Sequence, residues 1–175
     1  MLAYIALLRA VNVGGTGKLA MTDLKRLCEQ AGFGNVTTYI ASGNVVFTAP
    51  GSAAKVKEKL EAGLASFCGK PVGVFIRTQA EMAAVLALNP FHKLAGNRTV
   101  AIFLDAAPPS NVEAGATGRK DELIAPGHRE LYVFYGEGMG TSKLKVPCAK
   151  NGTARNMNTV AKLVEMAAAL PCIST

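Results

Sequence analysis

The sequence predicts an α+β protein made of two ferredoxin-like halves of the βαββα type, packed into one compact unit. Two observations lead to this class. Half of the 175 residues are apolar, which is typical of a globular protein and argues against disorder. Short β-branched stretches also alternate with stretches of helical periodicity, and the order strand, helix, two strands, helix occurs twice. This order places the halves at residues 1–77 and 78–175.

The first half begins with residues 2–8, an apolar run of strand length. Its lack of alternation indicates that both faces of this strand are covered. A helix is predicted at residues 21–31, where apolar side chains recur at helical spacing and Gly32 follows as a stop. The other predicted elements are a hairpin of strands 36–40 and 45–47, a helix from Pro50-Gly51-Ser52 through Phe67, and a strand at 72–76.

The second half repeats this order less regularly. A helix is predicted at residues 79–88 and a strand at 99–104. A short helical piece after Pro109 precedes the next two strands. The remaining predicted elements are strands at 122–124 and 130–135 and a final helix from Thr153 to about Leu170.

The connectivity of the first half predicts that two polar loops meet. Its first two strands run parallel, so the loop after the first strand and the turn after the second lie at the same end of the sheet. Consecutive glycines in the first loop could form an anion nest, or simply a strand-to-helix connection. The candidate binding residues here are Arg9, Asn12, Gly14, Gly15, Lys18, Ser42 and Asn44.

The formal net charge is +7, from 19 Lys and Arg against 12 Asp and Glu, and it favours anionic partners. Residues 138–164 contain five Lys and Arg and no acidic residue. This stretch is either a solvated basic face or an anion site. The glycine-rich segment at 136–143 and the polar segment at 153–159 contribute the candidates Ser142, Lys143, Arg155, Asn156 and Asn158, the last three at a predicted helix start.

Several site classes are excluded. A phosphate-binding P-loop needs Gly at position 12 and a hydroxyl at position 19, where the chain has Asn12 and Leu19. The four cysteines have no C-x-x-C spacing, and neither histidine has ligand spacing, so no metal site is predicted. No motif identifies a cofactor or a conventional hydrolase. The apolar start lacks a leading positive charge and no apolar run could span a membrane, which predicts a cytoplasmic protein with reduced thiols.

Three functional hypotheses follow from these residues. The first is a protein that binds a small anionic, phosphorylated ligand in a cleft lined by Arg, Asn and Gly. The second is a nucleic-acid-binding module that uses the basic C-terminal stretch. The third is an enzyme without a standard motif, in which Asn and Arg stabilise charge on a substrate. The sequence does not decide whether a reaction is catalysed, and it does not indicate an oligomeric state.

Five stretches together resemble the family called domain of unknown function 1697. They are residues 7–15, 38–47, 89–91, 141–144 and 153–163. The resemblance implies a small cytoplasmic bacterial α+β protein with ferredoxin-like halves, and it implies no activity, cofactor or substrate. The chain departs from the usual pattern at Met157, where the family often has Trp, and at Ala10, where Gly is common.

Overall fold

A computed structural model describes residues 1–13 and 18–171. The strands are β1 (Leu2–Leu8), β2 (Gly34–Tyr39), β3 (Asn44–Ala49), β4 (Val74–Thr78), β5 (Thr99–Phe103), β6 (Leu123–Pro126), β7 (Glu130–Phe134) and β8 (Thr153–Asn156). The helices are α1 (Met21–Gln30), α2 (Ala53–Cys68), α3 (Gln79–Ala87) and α4 (Met157–Ala168). Short 3-10 turns lie at Val112–Gly115, Met139–Thr141 and Pro147–Ala149.

The chain divides into two compact units. Unit 1 comprises Met1–Met82 and the residues from Leu163 onward, and unit 2 comprises Ala83–Lys162. Each unit contains one four-stranded antiparallel sheet, so the predicted mixed α/β class is confirmed. The predicted division between residues 77 and 78 stays a prediction. No helix within residues 1–13 and 18–171 is long and apolar enough to cross a membrane.

The sheet of unit 1 has the strand order β2-β3-β1-β4. β1 is buried on both faces from Ala3 to Leu8, as its continuous apolar pattern predicts. One face packs against α1 and α2 through a core that includes Leu24 and Leu60. Ser52 caps α2 by accepting a hydrogen bond from the Lys55 N–H. The apolar stripes of two amphipathic helices therefore form the main core of this unit.

The sheet of unit 2 has the equivalent order β6-β7-β5-β8, but its connections are irregular. A 3-10 turn and loops lie between β5 and β6, and two further 3-10 turns lie between β7 and β8. The segments 104–122 and 135–152 thus occupy the places in the chain order that α1 and α2 occupy in unit 1. Backbone hydrogen bonds between Thr117 and Lys145 join these two segments in an isolated bridge.

The two sheets share one register. In unit 1, Ile5 pairs with Val46 on one side and with Arg77 on the other. In unit 2, Ala101 pairs in the same way with Tyr132 and Arg155. Each sheet therefore carries an arginine at the same row of its fourth strand.

The predicted helix start at Thr153 is wrong. Thr153–Asn156 form strand β8, which pairs antiparallel with β5, and the helix begins at Met157. The cap is also different, because the Asn156 side chain accepts the hydrogen bond from the Thr159 N–H at 2.9 Å. A strand of four residues is invisible to a local pattern when its pairing partner lies about fifty residues earlier in the chain.

Candidate functional site

Three loops of unit 1 meet at one end of its sheet, and we call their described residues the loop end: residues 9–13 and 18–20 of the first loop, 40–43 and 69–73. The register of the sheet brings them together, because Leu7 in β1 lies opposite Asn44 in β3 and Phe75 in β4. Two backbone hydrogen bonds continue this pairing into the loops. The Leu8 N–H donates to the Gly43 carbonyl at 2.8 Å, and the Arg9 N–H donates to the Gly73 carbonyl at 2.9 Å. The predicted meeting of the first loop with the hairpin turn is therefore confirmed.

The Asn12 side chain closes the first loop on itself. Its amide oxygen accepts from the Leu19 N–H at 2.7 Å, and its amide nitrogen donates to the Leu19 carbonyl at 2.8 Å. The same nitrogen donates to the Ala41 carbonyl at 2.8 Å, which ties the loop to the hairpin turn. Both amide hydrogens are thereby engaged within the protein. The predicted residues Gly14 and Gly15 lie outside the described residues.

Asn44 holds the hairpin turn from inside. Its side chain is fully buried and donates to the Tyr39 carbonyl at 2.9 Å and to the Ser42 hydroxyl at 3.0 Å. A buried amide needs such partners, and the turn supplies them. Asn44 thus shapes the surface at the loop end, while Ser42 is partly exposed there. The predicted ligand role of these two residues stays a prediction.

Left-handed backbone conformations are concentrated at the loop end. Ala10, Asn12 and Ile40 have φ values of 54°, 54° and 49°, and Gly43 has 85°. Asn tolerates this region, but Ala and above all β-branched Ile do not favour it. The side chains of Ile40 and Val13 are 49% and 60% exposed. Strain of this kind persists where the surrounding structure enforces it, and it is common at ligand sites.

The loop end is poor in negative charge. Sequence stretches 1–22, 30–57 and 62–80 contain no Asp or Glu, and they include all three loops. Arg9 and Lys18 are exposed on either side of the first loop, and Lys70 is exposed in the third loop. The nearest acidic residue along the chain, Asp23, forms an ion pair with Arg26 at 2.8 Å. The charge at this end of unit 1 is therefore positive.

Helix α1 starts at the loop end without a side-chain cap. Its N-cap residue is Ala20, with φ of −68° and ψ of 142°, and it makes no side-chain hydrogen bond to the helix. Thr22 and Asp23, the residues expected near the helix start, lie in its first turn, and the Asp23 carboxylate is paired with Arg26. The first turn of a helix carries partial positive charge, and an anion near it is stabilised.

Arg155 is an interior residue of unit 2. Its side chain is 7% exposed, and Nη1 donates to the Thr153 hydroxyl at 2.8 Å and to the Ala154 carbonyl at 2.9 Å. Burial lowers the pKa of this guanidinium to about 10, which still leaves it charged at neutral pH. Arg77 in unit 1 is 3% exposed and makes the matching bond from Nη1 to the Ile76 carbonyl at 2.9 Å.

The start of α4 is occupied by protein groups. The Met157 N–H donates to the Gly96 carbonyl at 3.2 Å, and the Thr159 N–H donates to the Asn156 side chain. The exposed Asn158 side chain also lies against Gly96. Met157 itself is buried, so the position where the family often has Trp faces the interior. The arrangement favours a structural role for the polar segment 153–159.

The glycine-rich segment 136–143 lines a cavity in unit 2 together with residues 118–122. The cavity has a volume of about 250 Å³. The backbone approaches closely here, because a Cβ at Gly118, whose φ is 67°, would lie 2.1 Å from the Lys143 carbonyl oxygen. Five charged residues line the cavity: Lys120, Asp121, Glu122, Glu137 and Lys143.

A buried carboxylate belongs to this cavity. Glu122 is 3% exposed, and it accepts hydrogen bonds from the Ser142 hydroxyl and from the Lys120 N–H. Both hydrogen bonds hold the pKa of Glu122 below its usual range, and the bond from Ser142 has the larger effect. The predicted residues Ser142 and Lys143 thus lie in a real cavity, but beside carboxylates. Sequence reasoning missed Glu122 because its partner is twenty residues away, and no short motif links the two.

Sequence reasoning also missed Lys70 and the uncapped start at Ala20. Lys70 was not predicted because its loop reaches Arg9 only through the pairing of β1 with β4. Ala20 carries no polar side chain, so no residue pattern identifies it as a helix start. Cys28, Cys68 and Cys148 are free thiols. Within residues 1–13 and 18–171, no group of three His, Cys, Asp or Glu residues is placed to hold a metal ion.

Comparison with known proteins gives two findings. A family model described as a protein of unknown function, DUF1697, matches residues 1–132. The structure is similar to that of the conserved bacterial protein SP0830 from Streptococcus pneumoniae, with a TM-score of 0.77 and 27% sequence identity over 95% of this chain and 98% of that chain. No curated protein matches this chain. Ala10 has a left-handed φ of 54°, a conformation that Gly adopts more readily than Ala.

Proposed function

We propose that this chain, which belongs to the DUF1697 family of proteins of unknown function, binds a small anionic, phosphorylated ligand at the loop end of unit 1. One observation carries the proposal. Exposed cations, Arg9, Lys18 and Lys70, come together on loops without carboxylates at the uncapped start of α1. An anion placed there would interact with the helix start and with side-chain cations at the same time.

The hydrogen bonds of two amides support a binding role. The Asn12 amide joins Leu19 and Ala41, and the Asn44 amide holds the hairpin turn, so Lys18 and Ser42 are next to backbone groups that are tied together. A preordered site pays less entropy when a ligand binds. Among the predicted residues, Arg9, Lys18 and Ser42 are then the ones that contact the ligand, and Asn12 and Asn44 hold them in place.

The decisive experiment replaces the N-cap residue. Ala20→Asp supplies the missing cap and also places a negative charge where the anion would bind. We expect the ligand-free protein to gain about 1 kcal/mol of stability, while stabilisation by inorganic phosphate, pyrophosphate and nucleoside monophosphates disappears. Ala20→Ser is the matched variant, since it caps the helix without charge and should keep part of the anion binding. Thermal unfolding at constant ionic strength measures both effects.

Charge variants provide the second arm. Lys18→Gln and Arg9→Gln should each weaken the phosphate-dependent stabilisation, whereas Lys59→Gln, on the exposed face of α2, should leave it unchanged. The proposal is overturned if no phosphate compound stabilises the protein beyond sodium chloride at the same ionic strength. It is also overturned if Ala20→Asp leaves that stabilisation intact.

Titrations with an oligonucleotide at several salt concentrations test the alternative of nucleic-acid binding. Several phosphate contacts would make the affinity for an oligonucleotide fall steeply with salt, by roughly 0.7–0.9 log units per contact for each log unit of salt. The buried position of Arg155 removes one cation from the basic C-terminal stretch, which weakens this alternative. Turnover of a phosphorylated compound that is lost in Lys18→Gln would favour the enzyme instead.

We also propose that each unit is a ferredoxin-like half. The sheet order β2-β3-β1-β4 with two helices in unit 1 supports a ferredoxin-like half, and the order β6-β7-β5-β8 supports a second half in which loops replace the helices. Circular dichroism of a fragment ending after β4 would test whether the first half folds alone. We further propose that the protein works in the cytoplasm, where its free thiols stay reduced.

A further inference from the structure

The cavity of unit 2 is lined by the two segments that correspond, in chain order, to the helices α1 and α2 of unit 1. In unit 1 the connections after the first and third strands are α1 and α2, which fill one face of the sheet with apolar side chains. In unit 2 the same connections are the irregular segments 104–122 and 135–152, which pack apolar side chains such as Val112 and Val146 against the sheet. Apart from this core, they enclose about 250 Å³ of mostly polar space that solvent can reach.

The cavity lining carries both signs of charge. Glu122 is buried and accepts hydrogen bonds from Ser142 and the Lys120 N–H, and Asp121 is its exposed neighbour in the chain. Lys143 and Thr141, which flank Ser142 in the chain, are exposed and also line the cavity. At the rim, Lys120 Nζ lies 3.9 Å from Glu137 Oε2, and both side chains are mostly exposed.

We propose that this cavity binds a small zwitterion of the free amino-acid type. The ammonium group would lie against Glu122 and Asp121, and the carboxylate would lie against Lys143 and the Thr141 hydroxyl. A simple anion would meet three carboxylates, which repel it. Ligands with both charges satisfy both parts of the lining, and charge-assisted hydrogen bonds of this kind are the strong ones.

The chemistry of the lining supports this class over a metal ion. Within the described part of the chain, no three ligating side chains converge on one point. The Ser142 hydroxyl and the Lys120 N–H favour the charged form of Glu122, so its carboxylate stays anionic at neutral pH. The volume is below that of a drug-sized site, about 300–1,000 Å³, and it suits a ligand of amino-acid size.

The test is a calorimetric titration of the full chain with the common α-amino acids. Concentrations on the order of 10 mM would saturate even a ligand of millimolar affinity. We expect saturable binding of at least one amino acid. The N-acetyl derivative of that amino acid lacks the ammonium charge, and its methyl ester lacks the carboxylate charge. Each should bind at least about tenfold more weakly, because each loses one charge-assisted contact.

Substitutions at exposed positions test the site without disturbing the fold. Asp121→Asn and Lys143→Gln should each lower the affinity about tenfold. Lys145→Gln, on the same segment but outside the cavity lining, should leave it unchanged. The inference is overturned if no amino acid binds, or if Lys143→Gln binds as tightly as the parent chain. Ala20→Asp in unit 1 should not alter this binding, so failure of the anion site and failure of this site can be told apart.

Discussion

Units 1 and 2 share a sheet order and a register, and they differ in what connects the strands. Unit 1 uses α1 and α2, whose apolar stripes form its core. Unit 2 uses glycine-containing loops and 3-10 turns that are joined by the Thr117–Lys145 bridge. In both units the connections cover the sheet with apolar side chains, and in unit 2 they also enclose a polar cavity.

The buried arginines offer the strongest test of this equivalence. Arg77→Ala and Arg155→Ala should each lower the free energy of unfolding by about 3 kcal/mol, because each removes a large buried side chain and leaves its acceptors without a donor. Urea unfolding measures both, and the two losses should agree within about 1 kcal/mol. If the loss were below about 1 kcal/mol at only one of the two positions, the two arginines would occupy equivalent places in the sheets but contribute differently to stability.

A glycine pair tests the contrast between the connections. Gly118→Ala should lower the free energy of unfolding by about 3 kcal/mol, since the new Cβ would lie 2.1 Å from the Lys143 carbonyl oxygen in a left-handed backbone. Gly63→Ala in α2 meets no atom within 4 Å and should raise it by about 1 kcal/mol. Thermal unfolding of both variants measures these changes. A neutral Gly118→Ala would contradict the close backbone packing of the connections in unit 2.

An alanine pair compares the loop end with the helices of the same unit. Ala10→Gly should raise the free energy of unfolding by about 0.5 kcal/mol, because relief of the left-handed conformation outweighs the added entropy of the unfolded chain. Ala62→Gly, at an exposed position of α2, should lower it by about 1 kcal/mol. Equal losses from the two changes, measured by urea unfolding, would rule out strain at Ala10.

The Ser142–Glu122 bond predicts a pH dependence. The folded-state pKa of Glu122 is lowered, so the bond stabilises the protein above the ordinary pKa of 4.5, and this contribution is lost as pH falls through the folded value. Ser142→Ala should therefore destabilise the protein more at pH 7 than under acid conditions. Ser66→Ala, on the exposed side of α2, should show no such trend. Unfolding curves across the acid range decide between the two patterns.

The sequence was sufficient where local pattern determines structure. The continuous apolar run of β1, the spacing of α2 behind Ser52 and the hairpin at residues 40–43 all contain their own signals. The strand β8 was missed because its stability comes from β5, a distant partner. A tertiary contact of this kind overrides the helical periodicity that continues from α4.

The candidate site was predictable only as a location. The strand connectivity correctly predicted that the first loop meets the hairpin turn. The residue pattern could not separate residues that build the turn from residues that face outward. Asn12 donates to backbone carbonyls, Asn44 donates to the Tyr39 carbonyl and the Ser42 hydroxyl, and Arg155 is buried. Whether an amide closes a turn or binds a ligand depends on burial and partners, which a one-dimensional pattern does not contain.

The amide of Asn12 joins Leu19 and Ala41 through three hydrogen bonds. One substitution, Asn12→Ala, would therefore release two chain segments from each other, and a site assembled from both would lose its alignment.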